Sequence, residues 1–503
     1  MNFESSQQKR LFYYNKIINL KIGNKTVSEK LSIDGISYIN VAGPEFLLYN
    51  FIDPSVDLSN TFLQYKYKIK HFIFFYFDLL LNSVKKNKIS NSFEISNVEF
   101  LYLGFVDYMK FENLQPIAEY YEGRYNQLFI NDKYISKKLY NNTSYKSLNI
   151  LDFFKLKSLI QYNQLKRKLK RSINEILNSN EYNQLILDYP DIYDLKFKSN
   201  FIFFLNYRLK QILKYHICYN EFLIRLRSLK LCFSCDVADP RSRLIIEILN
   251  KKKINSILVQ FGALSYLNIE WFFFNSTILA TWGKVSKNYL IQMGIDEKKI
   301  HITGTPRYIR NKNIVPDKIK QIISEKNIVL YAPPHGLFDF ESVNYINKMV
   351  LDFFNELNNF ELYIKPHPLS TSKDLKIFQN FSTSYVIMDK DSSINNILNS
   401  CDIFINCGST LIIDALIQNK HVICIDAKNM NYFLKPYYNY DEISFASSYK
   451  ELKELISTYI QKKVFNKNDY HENSLFLKDW VNYGNDDPIN KISKIVKFLI
   501  HEN

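Results

Sequence analysis

From about Val98 onward, short runs of apolar residues alternate with stretches in which apolar positions recur every three or four residues. The first pattern predicts strands buried on both faces, the second predicts amphipathic helices, and their alternation marks βαβ units and parallel sheets. Val98–Gly104, Gln127–Ile130, Lys230–Cys235, Ser256–Gln260, Thr277–Thr281 and Lys299–Thr303 read as the strands of one series. A second series follows Asn313: Asn327–Ala332, Phe360–Lys365, Ser384–Met388, Asp402–Asn406 and His421–Asp426, each with a loop and a helical stretch behind it. Two such series predict an α/β chain of two Rossmann-like domains facing a cleft.

The pattern divides the 503 residues as follows. Residues 1–95 form an N-terminal elaboration with many aromatics, no repeat and no readable function. Residues 96–312 form an acceptor-side Rossmann-like domain, interrupted at about 151–219 by a lysine-rich helical insertion. Residues 313–480 form a second Rossmann-like domain, whose strand-end motifs, taken up below, mark it as the nucleotide-donor-binding one, and 481–503 end the chain as a helix. In that helix Ile489, Ile492, Ile495, Val496 and Leu499 share one face and need a partner surface, which the first domain supplies if the helix crosses back.

Composition narrows the class. Hydrophobic residues at 47% and charged residues at 23% describe a globular chain. The net charge of +15 is spread along the sequence, as AT-biased codons would give, and points to no nucleic-acid arm. Its densest run, Lys166 to Arg171, reads as a solvated helix face, with a membrane-surface role as the alternative. Met1–Arg10 is polar with no apolar h-region behind it, and the longest apolar stretch, Phe72 to Leu81, is about half of what spans a bilayer. A cytoplasmic, reducing compartment is expected. Cys232 and Cys235 form a C-x-x-C without a second pair at zinc spacing, so they read as structural.

Glycine locates the candidate chemistry. Only 12 occur, and six of them lie between Gly262 and Gly408, most of them just after predicted strands. Open α/β sheets bind ligands beyond the carboxyl ends of their strands, where glycine lets backbone approach a ligand. Asn406-Cys407-Gly408-Ser409-Thr410 closes a strand and opens a helix, so Gly408, Ser409 and Thr410 read as a phosphate site or as an ordinary Ser/Thr cap. Asp414, one turn further on, is placed to accept from ribose hydroxyls. Lys365-Pro366-His367-Pro368 ends another strand, and its prolines hold His367 extended, able to donate to a departing phosphate. Tyr331-Ala332-Pro333-Pro334-His335-Gly336 makes a tight cleft loop with His335 as a second donor. In Thr303-Gly304-Thr305-Pro306-Arg307 the arginine either clamps a phosphate or ties the two halves together. Gln260-Phe261-Gly262 and Trp282-Gly283-Lys284 are acceptor-side or packing elements. The catalytic base is sought among strand-end acids of the first half, Asp107 and Asp236 above all.

Taken in order, these residues resemble the GT-B-type enzymes of bacterial surface and capsular polysaccharide synthesis. Kdo transferases, polysialyltransferases and CDP-glycerol glycerophosphotransferases are among them, and the UDP-N-acetylglucosamine 2-epimerase fold is a more distant likeness. The resemblance runs from about Cys232 to Ile500. It implies that His367, Ser409 and Thr410 bind the donor phosphates, and that Asp414 stands where such enzymes usually carry a ribose-binding Glu. Gln260-Phe261-Gly262 replaces a frequent Gln-His-Gly, and Asn419-Lys420-His421 replaces Gly-Lys-Pro. Tyr483-Gly484-Asn485-Asp486 matches the usual approach to the last helix.

The implied activity is metal-independent and cofactor-free transfer from a nucleotide-sugar donor to a glycan or lipid-linked acceptor, with peripheral contact to the anionic inner membrane face. Three rivals stand beside it: phosphoglycerol transfer from a CDP-glycerol-type donor, a UDP-sugar 2-epimerase, and a nucleotide-binding module without turnover.

Overall fold

The computed structural model describes residues 3–47, 95–105, 108–131, 146–264, 269–308, 327–334, 340–356, 360–367, 370, 372–379, 385–389, 394–427, 434–462, 474–484 and 487–501. Two parallel sheets organise them. The first contains β1 (Phe100–Leu103), β2 (Gln127–Asn131), β3 (Ser147–Asn149), β4 (Leu231–Ser234), β5 (Asn255–Val259), β6 (Ile278–Thr281) and β7 (Ile300–Ile302), in the order β7-β6-β5-β4-β1-β2-β3. The second contains β8 (Asn327–Tyr331), β9 (Phe360–Ile364), β10 (Tyr385–Ile387), β11 (Ile403–Asn406), β12 (His421–Ile425) and β13 (Ile443–Ala446), in the order β10-β9-β8-β11-β12-β13. Each sheet grows outward from its first strand on one side, then restarts on the other side with its fourth. This is the doubly wound 3-2-1-4-5-6 order, extended by one strand in the first half. The chain is therefore α/β with two Rossmann-like halves, as the hydrophobic pattern predicts.

The inner strands β1, β4 and β11 are buried along their whole length, which is why they stand out as continuous apolar runs. Ser147–Asn149 and Ile443–Ala446 are not among the expected strands. Both are sheet edges, paired on one side only, each with two residues only partly buried and no unbroken apolar run to announce it.

Helix α1 (Phe3–Ile18) and two short hairpins build the described part of the N-terminal segment. Helix α2 (Tyr108–Tyr121) follows β1. The insertion contains α3 (Leu156–Leu177), whose Tyr162, Leu169, Ile173 and Ile176 are buried in one core with Tyr14, Ile17, Val27 and Phe46 of the N-terminal segment. In the run Lys166–Arg171 all the basic residues are exposed and Leu169 alone is buried, an amphipathic face as the spacing implies. Helix α4 (Pro240–Lys251) follows β4 and carries Arg243, which is 3% exposed. Its guanidinium donates to the carbonyls of Val41 at 2.9 Å, Asn40 at 3.0 Å and Phe273, so it fastens the N-terminal segment to the first half.

After β11 comes the short helix α5 (Leu411–Ile417), and near the end of the chain stand α6 (Leu475–Val481) and α7 (Pro488–His501). Phe476, Leu477 and Trp480 of α6 belong to the core of the second half. Ile489, Ile492, Ile495, Val496 and Leu499 of α7 instead share a core with β1, β4, β5 and β6 of the first half. Asn255 Nδ2 donates to the Leu499 carbonyl at 3.2 Å across that contact. Trp282, just beyond β6 of the first half, is fully buried in the core of the second. Beside it a Cβ on Gly283 would lie 2.2 Å from the Asp479 carbonyl, so only glycine lets the two backbones meet there.

Candidate functional site

The register of the second sheet fixes where its strand-end loops begin. Tyr331 of β8 stands opposite Ile364 of β9 and Ile405 of β11, and the ladder closes with Lys365 N to Tyr331 O and Ala332 N to Ile405 O, each 2.9 Å. Lys365, Ala332 and Asn406 therefore leave the same edge at the same height. The loop carrying His367 and the turn Gly408–Thr410 flank the β8 loop and start two strands apart, about 10 Å of backbone at the usual strand spacing. The sheet changes direction between β8 and β11, which is where open α/β sheets form a crevice.

His367 is half-buried, and its carbonyl accepts from Ser370 N at 2.8 Å, so the segment turns sharply after the strand. Lys365 is buried to 8% exposure, with Nζ donating to the Asp389 carbonyl at 3.3 Å. Asn406, fully buried, accepts from the amides of Gly408 at 2.8 Å and Ser409 at 3.0 Å on its Oδ1. This Asx turn shapes the motif and uses two of the amides that the sequence offers to a phosphate. An anion entering here competes with the Asn406 carboxamide for them. Ser409 Oγ accepts from Leu411 N at 3.3 Å, so the serine also caps α5. His335 and Gly336 lie outside the described residues.

The equivalent crevice of the first half lies between β1 and β4. Asp236 follows β4, is 4% exposed, and accepts on Oδ1 from Ala238 N at 2.8 Å and Asp239 N at 3.1 Å. Asp239 then caps α4. Asp107, on the β1 side, lies outside the described residues. Next to this crevice Gln260 is a packing element. Its Oε1 accepts from Thr281 Oγ1 at 2.5 Å and Trp282 N at 2.9 Å, and its Nε2 donates to the Gly262 carbonyl at 2.7 Å and to Ser286 at 3.0 Å. Cys232 and Cys235 are buried and not joined in a disulfide, and burial pushes the Cys232 thiol well up.

Arg307 lies where the halves meet. Its Nη2 donates to Asp414 Oδ1 at 2.5 Å, its Nε stands 3.8 Å from Glu112 Oε2, and its guanidinium covers the Tyr308 ring at 4.9 Å. Asp414 is 1% and Arg307 9% exposed. Burial pulls the Arg307 pKa down, but Asp414, Tyr308 and Glu112 outweigh it and the net shift is upward. Of the two roles open to Arg307 from sequence, the described state has it joining the halves, with Asp414 as its partner. Next to it Thr305 Oγ1 donates to Asn113 Oδ1 at 3.0 Å, both side chains buried. Glu112, Asn113 and Asn406 were not among the expected site residues. Asn406 had a local signal, an Asn two residues before a Gly at a strand end. Glu112 and Asn113 had none, because only the approach of α2 to the segment after β7 brings them in.

Residues 285–498 match the family model of the CDP-glycerol:poly(glycerophosphate) glycerophosphotransferases. Among curated protein sequences none matches the chain. In fold the chain is similar to a protein assigned as a UDP-N-acetylglucosamine 2-epimerase from Listeria monocytogenes, at 12% identity and a TM-score of 0.51, covering 81% of this chain and 97% of that one. It is also similar to the UDP-GlcNAc 2-epimerase of Methanocaldococcus jannaschii, at 13% identity, TM-score 0.49, 80% and 99% coverage. The wall teichoic acid polymerase TagF follows at 14% identity, TM-score 0.44, covering 88% of this chain and 98% of that one. The resemblance read from the motifs is thus to a real transferase family, and its CDP-glycerol branch is the one the match reaches.

Proposed function

We propose that the chain transfers an activated group from a cytidine-type nucleotide donor to a hydroxyl of a bacterial surface polymer, with glycerol phosphate, rather than a sugar, as the group moved. The observation that carries this reading is the single edge from which Lys365, His367 and Gly408–Thr410 emerge, within two strands of each other at the crevice of the second sheet. The family match, which takes in that whole sheet, supports a CDP-glycerol-type donor.

In this reading an acceptor hydroxyl oxygen attacks the phosphorus that bears glycerol, the bond from that phosphorus to the bridging oxygen breaks, and CMP leaves. His367 and Lys365 offset the charge that develops on the departing phosphate, together with the amides of the Gly408–Thr410 turn. The hydroxyl proton passes to an acid of the first half, Asp107 or Asp236, and closure of the halves keeps water from the donor. Nucleotide-sugar transfer is the second reading, since the motifs of the second half suit any nucleoside diphosphate donor.

The decisive experiment offers CDP-glycerol, a CMP-sugar and UDP-sugars with and without a glycerophosphate acceptor. Acceptor-dependent CMP release from CDP-glycerol, lost in His367→Ala, supports the proposal. Release only from a sugar donor transfers the assignment to sugar transfer, interconversion of a UDP-sugar without acceptor makes the chain an epimerase, and binding without any turnover leaves a module. Peripheral contact with an anionic membrane face belongs to the same reading. Exposed Leu156 and Ile160 at the start of α3 lead into the basic run Lys166–Arg171, and anionic vesicles should sediment the chain at low salt. Among the described residues no helix is long and apolar enough to cross a membrane.

A further inference from the structure

Arg307 follows the last strand of the first half, yet its guanidinium stands between helices of both halves. Asp414 comes from α5, which opens beside the crevice of the second sheet, and Glu112 comes from α2, which opens beside that of the first. One cation therefore faces two carboxylates, the nearer on the opposite half and the farther on its own. Among the described residues Arg307 Nη1 is buried without a hydrogen-bonding partner, while the Tyr308 hydroxyl lies against the Asp414 carboxylate. A buried pair serving stability alone gains from satisfying every remaining polar atom, and this one does not.

We infer that Arg307 is an interdomain latch with two positions. Paired with Asp414 it holds the halves closed at the floor of the cleft. When they part, it stays with its own half and passes to Glu112, so opening never leaves the guanidinium without a carboxylate. Two discrete pairings of one buried charge make the movement a switch between states rather than a gradual loosening. The inference goes beyond the activity proposed above and does not depend on which donor is bound.

Hydrogen exchange of the full-length chain separates this from a plain structural contact, because the two carboxylates act in opposite directions. Arg307→Gln should raise exchange roughly tenfold in residues 303–308 and 411–417 while the strands 100–103 and 403–406 stay as protected as in the parent. Glu112→Gln removes the open-state partner and should lower exchange in the same two segments below the parent. Should Arg307→Gln fold poorly, Arg307→Lys, which keeps the charge but loses the fork, should fall between it and the parent. Exchange that is unchanged or raised in Glu112→Gln overturns the latch, as does exchange that rises equally in the strands of Arg307→Gln.

Discussion

Among the described residues two arginines are buried, and they are buried in opposite ways. Arg243 is surrounded by main-chain carbonyls of Asn40, Val41 and Phe273, and burial pulls its pKa down to about 10 despite weak help from Tyr14, Glu247 and Asp236. Arg307 faces carboxylates, and they outweigh its burial. A guanidinium held by carbonyls has partners fixed by the fold and nothing to exchange. One held by side-chain charges can change partner. The first fastens the N-terminal segment, and the second joins the two halves.

The largest effect should come from Arg243→Met. It strips donors from several buried carbonyls and should cost about 4 kcal/mol, read as a lower urea midpoint with early proteolysis of residues 3–47. Arg307→Met should cost about 3 kcal/mol by leaving Asp414 buried and unpaired, but adding Asp414→Leu should recover most of it, since a packed apolar pair replaces a buried ion pair at little cost. No second substitution can rescue Arg243→Met, because its partners are backbone; a rescue found there would erase the contrast. Gly283→Ala should cost roughly 2 kcal/mol, as its new Cβ meets backbone of α6 that has to retreat. That loss should show in the contact between the halves before either sheet unfolds.

The smallest effect is pH-dependent and concerns the same N-terminal segment that Arg243 fastens. His216 is buried with Tyr38 Oη at 2.7 Å from Nδ1 and Asp34 Oδ2 at 3.3 Å from Nε2. Burial lowers its pKa, Asp34 partly opposes this and Lys251 adds to it. A depressed folded-state pKa means that the stability is present above the unfolded value near 6.5 and fades as pH falls through the folded one. The Tm should therefore drop between pH 7 and pH 5, and His216→Gln should flatten that slope.

Inner strands were legible because burial on both faces forces apolar runs, as in Ile403–Asn406 with its Ile and Phe. The edge strand Ser147–Asn149 was not, since a strand wet on one side needs no such run. The strand-end motifs were also legible, because glycine and proline mark turns wherever they fall. What the motifs do there was less so. Asp414 reads from sequence as a ribose contact and Arg307 as either a phosphate clamp or a tie between the halves, and the two meet each other across 107 positions of sequence. Local pattern cannot encode such a meeting, which depends on how one half is turned against the other. Asn406 does have a local signal, since an Asn two residues before a Gly is the pattern of the turn it organises.

Gly304 sits at the first passage of the chain out of the first half, and a Cβ there would stand 3.0 Å from Pro488 and 3.2 Å from the Val481 carbonyl, at the passage by which the chain returns. The two crossings thus touch. A pair of bodies joined by two covalent threads side by side can swing like a book on its spine but can neither slide past each other nor drift apart. For a hinge of this kind a ligand would enter from the side opposite the spine, and the residues farthest from Gly304 would travel the greatest distance on closing.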